Sequence, residues 1–303
     1  MTFYRQTASV AVQSEPIPIL YSNGSIWVGN FDSASVSRIN PVTNTVTATI
    51  TSAGFLTGPT SLAEDDLGNV WVACESFSSG SVSRIDPATN TVNASIYTAN
   101  GIKPTGIGMG AGEMWVSFNS SSGKYTRFDT TTLLETYASG TGLGFGYNFK
   151  DDGTNVWFDT FSACRKVDPS TNTITSVTAG ITATSFMFLH YAFGYIWRCT
   201  NDGIDRVNPT TNAVTALTSA TSAVVQGITD NGVDIIFSDI AGEIRVVDPT
   251  SLAVKQTVTS GNYYWATTFD GSAIWANAYG PSGACHKFIN VNAGIFTDGA
   301  SHL

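Results

Sequence analysis

Val82-Ser-Arg-Ile-Asp-Pro-Ala-Thr-Asn-Thr-Val92 decides the fold of this chain, because the chain repeats it. Near copies are Val36-Ser-Arg-Ile-Asn-Pro-Val-Thr-Asn-Thr-Val46, Arg165-Lys-Val-Asp-Pro-Ser-Thr-Asn-Thr-Ile174 and Asp205-Arg-Val-Asn-Pro-Thr-Thr-Asn-Ala-Val214. A weaker copy, Arg245-Val-Val-Asp-Pro-Thr-Ser-Leu-Ala-Val254, keeps the Asp-Pro. Arg127-Phe-Asp-Thr-Thr-Thr132 and Lys287-Phe-Ile-Asn-Val-Asn292 keep only the basic residue and the Asx. Each unit reads as a β-branched strand, a turn and a second β-branched strand. The Asx side chain accepts from backbone N–H groups further on, Pro sets the next φ, and Asn tolerates the left-handed conformation that reverses the chain.

A second series fixes the period. Trp27, Trp71, Trp115, Trp157, Trp197, Ile236 and Trp275 each sit in a short apolar run, with a glycine three or four residues before. Successive anchors are 44, 44, 42, 40, 39 and 39 residues apart. That period is the length of a four-stranded propeller blade. The two series agree on an all-β, seven-bladed β-propeller with four antiparallel strands per blade, one domain over residues 1–303. In the second repeat the strands are expected at Pro59–Glu64 (A), Asn69–Ala73 (B), Ser81–Asp86 (C) and Thr91–Tyr97 (D). The Trp series reads as a structural wedge between blades.

Closure is also legible. Thr7–Ser14 resembles the D strands but precedes the first A strand, so it is expected to supply the outer strand of the last blade. A competing reading gives that place to Gly294–Thr297. Under the first reading, residues 292–303 form a C-terminal tail.

Charged residues make up 12% of the chain, about half the usual share of roughly 25%. A net charge of −9 with no Lys/Arg cluster argues against nucleic acid, whose backbone is gripped by basic residues. No apolar run approaches the roughly 20 residues of a membrane span. Cys74, Cys164, Cys199 and Cys285 fall in four different repeats without C-x-x-C spacing, and are expected to be free, buried thiols. The first twelve residues lack the apolar core of a secretory signal.

Candidate site residues cluster in the A strands of repeats four, five and seven. Phe145, Tyr147, His190, Tyr191, Tyr263, Tyr264 and Trp265 are expected to line a central pocket, where aromatic rings stack sugars or grip a partner. The alternative is that they fill gaps between blades. No zinc, phosphate or nucleophile motif appears in its required context, so no metal, cofactor or catalytic residue is assigned.

With its Asp-Pro-x-Thr-Asn-x-Val turns and Trp-bearing strands, the chain resembles the YVTN-type and virginiamycin B lyase-like seven-bladed propellers. The resemblance spans nearly the whole chain and implies that fold. Lyases of that family use a His together with a Glu and a second His two residues on, near magnesium. Here the glutamates stand at 15, 64, 75, 113, 135 and 243, none with a His two residues later. No catalytic residue carries over.

The expected function is a non-catalytic structural or binding module. On this reading it belongs to a phage virion, as a tail or capsid accessory, and contacts other virion proteins or a host surface glycan. It would reside in the virion, or in the producing cell's cytoplasm before assembly. A secreted or surface bacterial binding propeller, and a lyase-like enzyme working in the central funnel, stand as alternatives.

Overall fold

The computed structural model describes residues 2–75, 80–97, 103–119, 123–139, 144, 146–160, 163–182, 188–217 and 223–292. They form seven four-stranded antiparallel sheets and no helix. In blade 2 the strands are Pro59–Glu64, Val70–Cys74, Ser81–Asp86 and Thr91–Tyr97, as expected at every boundary except those of B, which lies one residue later at each end. The innermost A strands of blades 1–7 are Pro16–Ser22, Pro59–Glu64, Lys103–Gly110, Phe149–Asp151, Leu189–Ala192, Val225–Asp230 and Tyr264–Phe269. Neighbouring A strands approach closely because glycines stand there: a Cβ on Gly108 would lie 2.5 Å from the Phe149 carbonyl oxygen.

Each joint between blades has its own apolar core. Trp71, for example, packs with Ile107, Met114 and Val116 of blade 3, and Trp27 packs with Val70 and Val72 of blade 2. All six indoles of the series, and Ile236, are fully buried. Each indole N–H is satisfied within its own blade. Trp71, Trp157 and Trp275 donate to Asp65, Asp152 and Asp270, and the other three donate to main-chain carbonyls.

The turn motif does a second task that its local chemistry does not announce. Its basic residue lies over the Trp of its own blade and reaches across the joint to the next copy of the motif. Arg38 sits 4.9 Å from the Trp27 ring centroid and donates to the Pro87 carbonyl and to Asn90 Oδ1. Lys166 repeats this on Trp157, Pro209 and Asn212, and Lys287 on Trp275, Pro41 and Asn44. The turn asparagines Asn44, Asn90 and Asn212 stand at φ 56°, 56° and 58°, as the turn requires. One residue thus reverses its own chain and caps a cation of its neighbour.

Blade 6 departs from this pattern. Ile236 and Val246 face each other where other blades pair Trp with Arg or Lys. The reason lies in blade 7, which has no C–D turn to receive a cation. Its strands are Tyr264–Phe269, Ala273–Ala278 and Ala284–Asn292, and the outermost is Thr2–Ala11. Tyr4 from that strand enters the joint against Ile236 and Val246. Its backbone N–H and C=O are both held by the Gln256 amide, and its hydroxyl accepts from Asn231.

The outer strand therefore starts five residues before the expected Thr7–Ser14 and stops before Val12. A register break between Gln6 and Ala8 separates its two halves. Tyr4, which looks unlike the internal D strands, is placed by the joint it fills. Gly294–Thr297 lies outside the described residues. All four cysteines are free and buried.

Candidate functional site

The seven A strands enclose an axial channel of about 300 Å³. Side chains tie its wall together: Asn148 donates to the Leu189 carbonyl and accepts from the Leu189 N–H, at 2.7 and 2.9 Å. Asn277 likewise donates to the Pro18 carbonyl of blade 1, at 3.1 Å. Such bonds satisfy A-strand backbone groups that have no strand partner on the channel side.

The sequence candidates divide between different places. Tyr147 stacks on Phe188 at the channel mouth, with centroids 5.2 Å apart and planes 19° apart. Tyr263, Trp265 and Tyr279 form a second group on the same rim, with centroids 5.3 to 6.0 Å apart. These five rings are half-buried. Tyr264 points the other way, is fully buried, and its hydroxyl meets His286 Nδ1 at 2.9 Å in the joint core. Tyr191 packs in the joint between blades 4 and 5, on the side of the tight turns. Phe145 lies outside the described residues.

Besides Phe188, two participants at the mouth were not among the sequence candidates. Gln226 is fully buried and lines the channel; its Nε2 donates to the Tyr263 hydroxyl at 3.0 Å, while its Oε1 has no partner. Tyr279 comes from the connection after strand B, and its N–H is held by the Tyr263 carbonyl. Burial, together with the carboxylates of Glu15 and Asp32, pushes its hydroxyl up to about 12. The signal available was the pleat: Tyr263 and Trp265 share a parity that Tyr264 does not.

Nearer the tight turns, His190 Nε2 meets Asp230 Oδ2 at 2.6 Å. Burial lowers the imidazole's affinity for a proton, and the Asp230 bond partly restores it. That same bond holds Asp230 below the usual carboxylate range. Among the described residues no group of three or more His, Cys, Asp or Glu side chains is placed to hold a metal ion.

A fully buried ionic group lies between blades 4 and 5. Arg198 donates to Asp159 Oδ2 at 3.1 Å through Nε, and to Asp205 Oδ2 at 2.5 Å through Nη1. Asp205 is further held by the Thr182 N–H and hydroxyl, both at 2.9 Å. Asp159 Oδ1 has no donor. Burial pushes the Asp159 carboxyl up to about 7, against the pull of Arg198. The folded state therefore binds a proton that the unfolded chain releases near pH 4. This contribution is fully present below that pH and is lost as pH rises towards 7. Wild type should lose stability across that window relative to Asp159→Asn, by at most about 1.4 kcal/mol per pH unit. Parallel urea titrations between pH 4 and 7.5 check this, and a constant difference between the two proteins would refute it.

No protein-family model matches the chain, and no curated protein matches it. Solved structures do. Virginiamycin B lyase from Staphylococcus aureus superposes with a TM-score of 0.80 over 96% of this chain and 100% of its own, at 16% identity. A catalytically inactive form of that lyase, solved with quinupristin, gives the same values. The likeness shows the fold. The extracellular domain of a B. thetaiotaomicron one component system follows at 0.71 and 17% identity, covering 91% of this chain and 40% of that one. The WD40 propeller domain of Doa1 gives 0.76 at 12% identity, covering 95% and 97%.

Proposed function

We propose that the chain is a non-catalytic binding propeller of a larger assembly, in the manner of a phage tail or capsid accessory protein. It engages a host surface glycan on the rim that carries Tyr263, Trp265 and Tyr279. The observation that carries this reading is that group of half-buried rings, backed by the unpartnered Gln226 oxygen. Aromatic faces offer a rigid apolar platform, and an amide oxygen accepts from a hydroxyl. Glu15 and Asp32 beside Tyr279, in a chain of net charge −9, favour a neutral sugar over an anionic one. The low charge of the whole chain and its four buried thiols suit assembly in a reducing compartment.

Binding of the purified protein to an array of neutral and anionic oligosaccharides tests the reading. Neutral glycans should bind, and Trp265→Ala should weaken the best of them by roughly thirtyfold, the loss of about 2 kcal/mol usual for a hot-spot aromatic. An array without neutral hits, or one unaffected by Trp265→Ala, would overturn the glycan assignment. Opening of quinupristin by the protein would overturn the non-catalytic assignment.

A further inference from the structure

Two ionisable side chains of opposite sign line the axial channel, Lys150 on blade 4 and Glu64 on blade 2. Among the described residues neither has a hydrogen-bond or ion-pair partner. They stand at neighbouring levels of the wall: Lys150 pairs across to Trp157, and Glu64 lies one position beyond Ala63, which pairs with Trp71. An ammonium and a carboxylate within 4.0 Å would be an ion pair, and none joins these two.

The Asp230 carboxylate attracts the Lys150 ammonium but makes neither a hydrogen bond nor an ion pair with it. Asp230, the carboxylate whose field reaches Lys150, is engaged by His190 Nε2 at 2.6 Å and by the Gly232 N–H at 2.7 Å. Burial lowers the proton affinity of the Lys150 amine, the mark of a charge deprived of solvent. Both side chains are half-buried; a charge partly withdrawn from water is costly when unpaired, and a ligand that supplies the partner recovers part of that cost.

The signs restrict what such a ligand can be. A simple anion would satisfy Lys150 but face Glu64 and Asp230. A simple cation would satisfy Glu64 but face Lys150. A molecule bearing both charges neutralises both walls and brings no net charge into the channel. We infer that the channel binds a small zwitterion, an amino acid or short peptide, with its carboxylate on Lys150 and its ammonium on Glu64. The volume of about 300 Å³ equals that of roughly ten waters, at about 30 Å³ each, and sits at the lower end of ligand pockets. Leu20, Leu62 and Met109 on the same wall receive an apolar side chain.

Calorimetric titration with glycine, leucine and glycylglycine, against acetate and ethylamine as singly charged controls, tests this. At least one zwitterion should saturate the protein, at least about tenfold more tightly than either control. Lys150→Met and Glu64→Gln should each weaken that binding at least about tenfold, as loss of one member of a buried charge pair does. Both should keep the thermal midpoint, since neither residue holds a protein group. Trp265→Ala should leave this binding intact, which separates the channel from the glycan rim. Absence of saturation by all three zwitterions at millimolar concentration would overturn the inference. So would acetate binding as tightly as the zwitterions with Glu64→Gln silent, which would make the channel an anion site. If either variant fails to fold, the comparison of zwitterions with singly charged controls on the wild type decides alone.

Discussion

Replacing Trp71 by Ala lowers the free energy of unfolding by about 3–5 kcal/mol, the penalty for deleting a large buried aromatic. The ring is fully buried in the core between blades 2 and 3. Its removal leaves a cavity against Ile107, Met114 and Val116, and takes one donor from the buried Asp65 carboxylate, 2.8 Å away. It also removes the surface over which Arg84 lies on its way to the Thr130 carbonyl of blade 3. Trp71→Phe keeps most of the volume but not the N–H, and should fall between wild type and Ala. The denaturant midpoint at unchanged slope is the readout. A midpoint that does not move would show that the Trp series does not hold blades together.

Deleting residues 2–11 has a larger effect still: the isolated chain no longer reaches a monomeric native state. The deletion bares the full edge of Ala284–Asn292 and empties the joint that Tyr4 fills between blades 6 and 7. An unpaired edge beside an opened core is a template for association. Size-exclusion chromatography should find aggregate in place of monomer. A monomeric product with the wild-type midpoint would place the closure of the ring elsewhere, and a truncation of residues 293–303 is the matched control.

The repeat was legible because two unrelated signals, turn chemistry and the buried Trp, keep the same period. What local chemistry did not reveal was cooperation between copies. Arg38 and Asn90 look like features of separate hairpins, yet they bond across a joint 52 residues apart in the chain. The closing strand was displaced for a related reason. Matching Thr7–Ser14 to the internal D strands weighed polar alternation, whereas the position of the real strand follows from Tyr4, which fills the joint between blades 6 and 7.

At the site, composition pointed to the right blades but could not separate mouth from core. Tyr263 and Tyr264 are adjacent and chemically alike, and the pleat sends them to opposite destinations. Gln226 is an ordinary residue until the fold sets it beside Tyr263. The buried ionic group carries a local signal in the sequence. Asp159 and Arg198 lie within otherwise apolar B strands, Val156–Thr160 and Tyr195–Cys199, where a lone charge demands a partner on a neighbouring blade.

Ring closure by the first strand also sets the order of events during synthesis. Residues 2–11 leave the ribosome long before their partners, residues 284–292. At about 5–20 residues per second, the roughly 270 residues between them take on the order of 15 to 60 s. For that interval the opening segment must stay unpaired beside six blades that can already stack. Every nascent copy on a polysome thus presents a free β-strand to its neighbours. Spacing between ribosomes, and whatever shields the emerging segment, then governs how much of this protein a cell recovers as closed rings rather than as strand-exchanged chains.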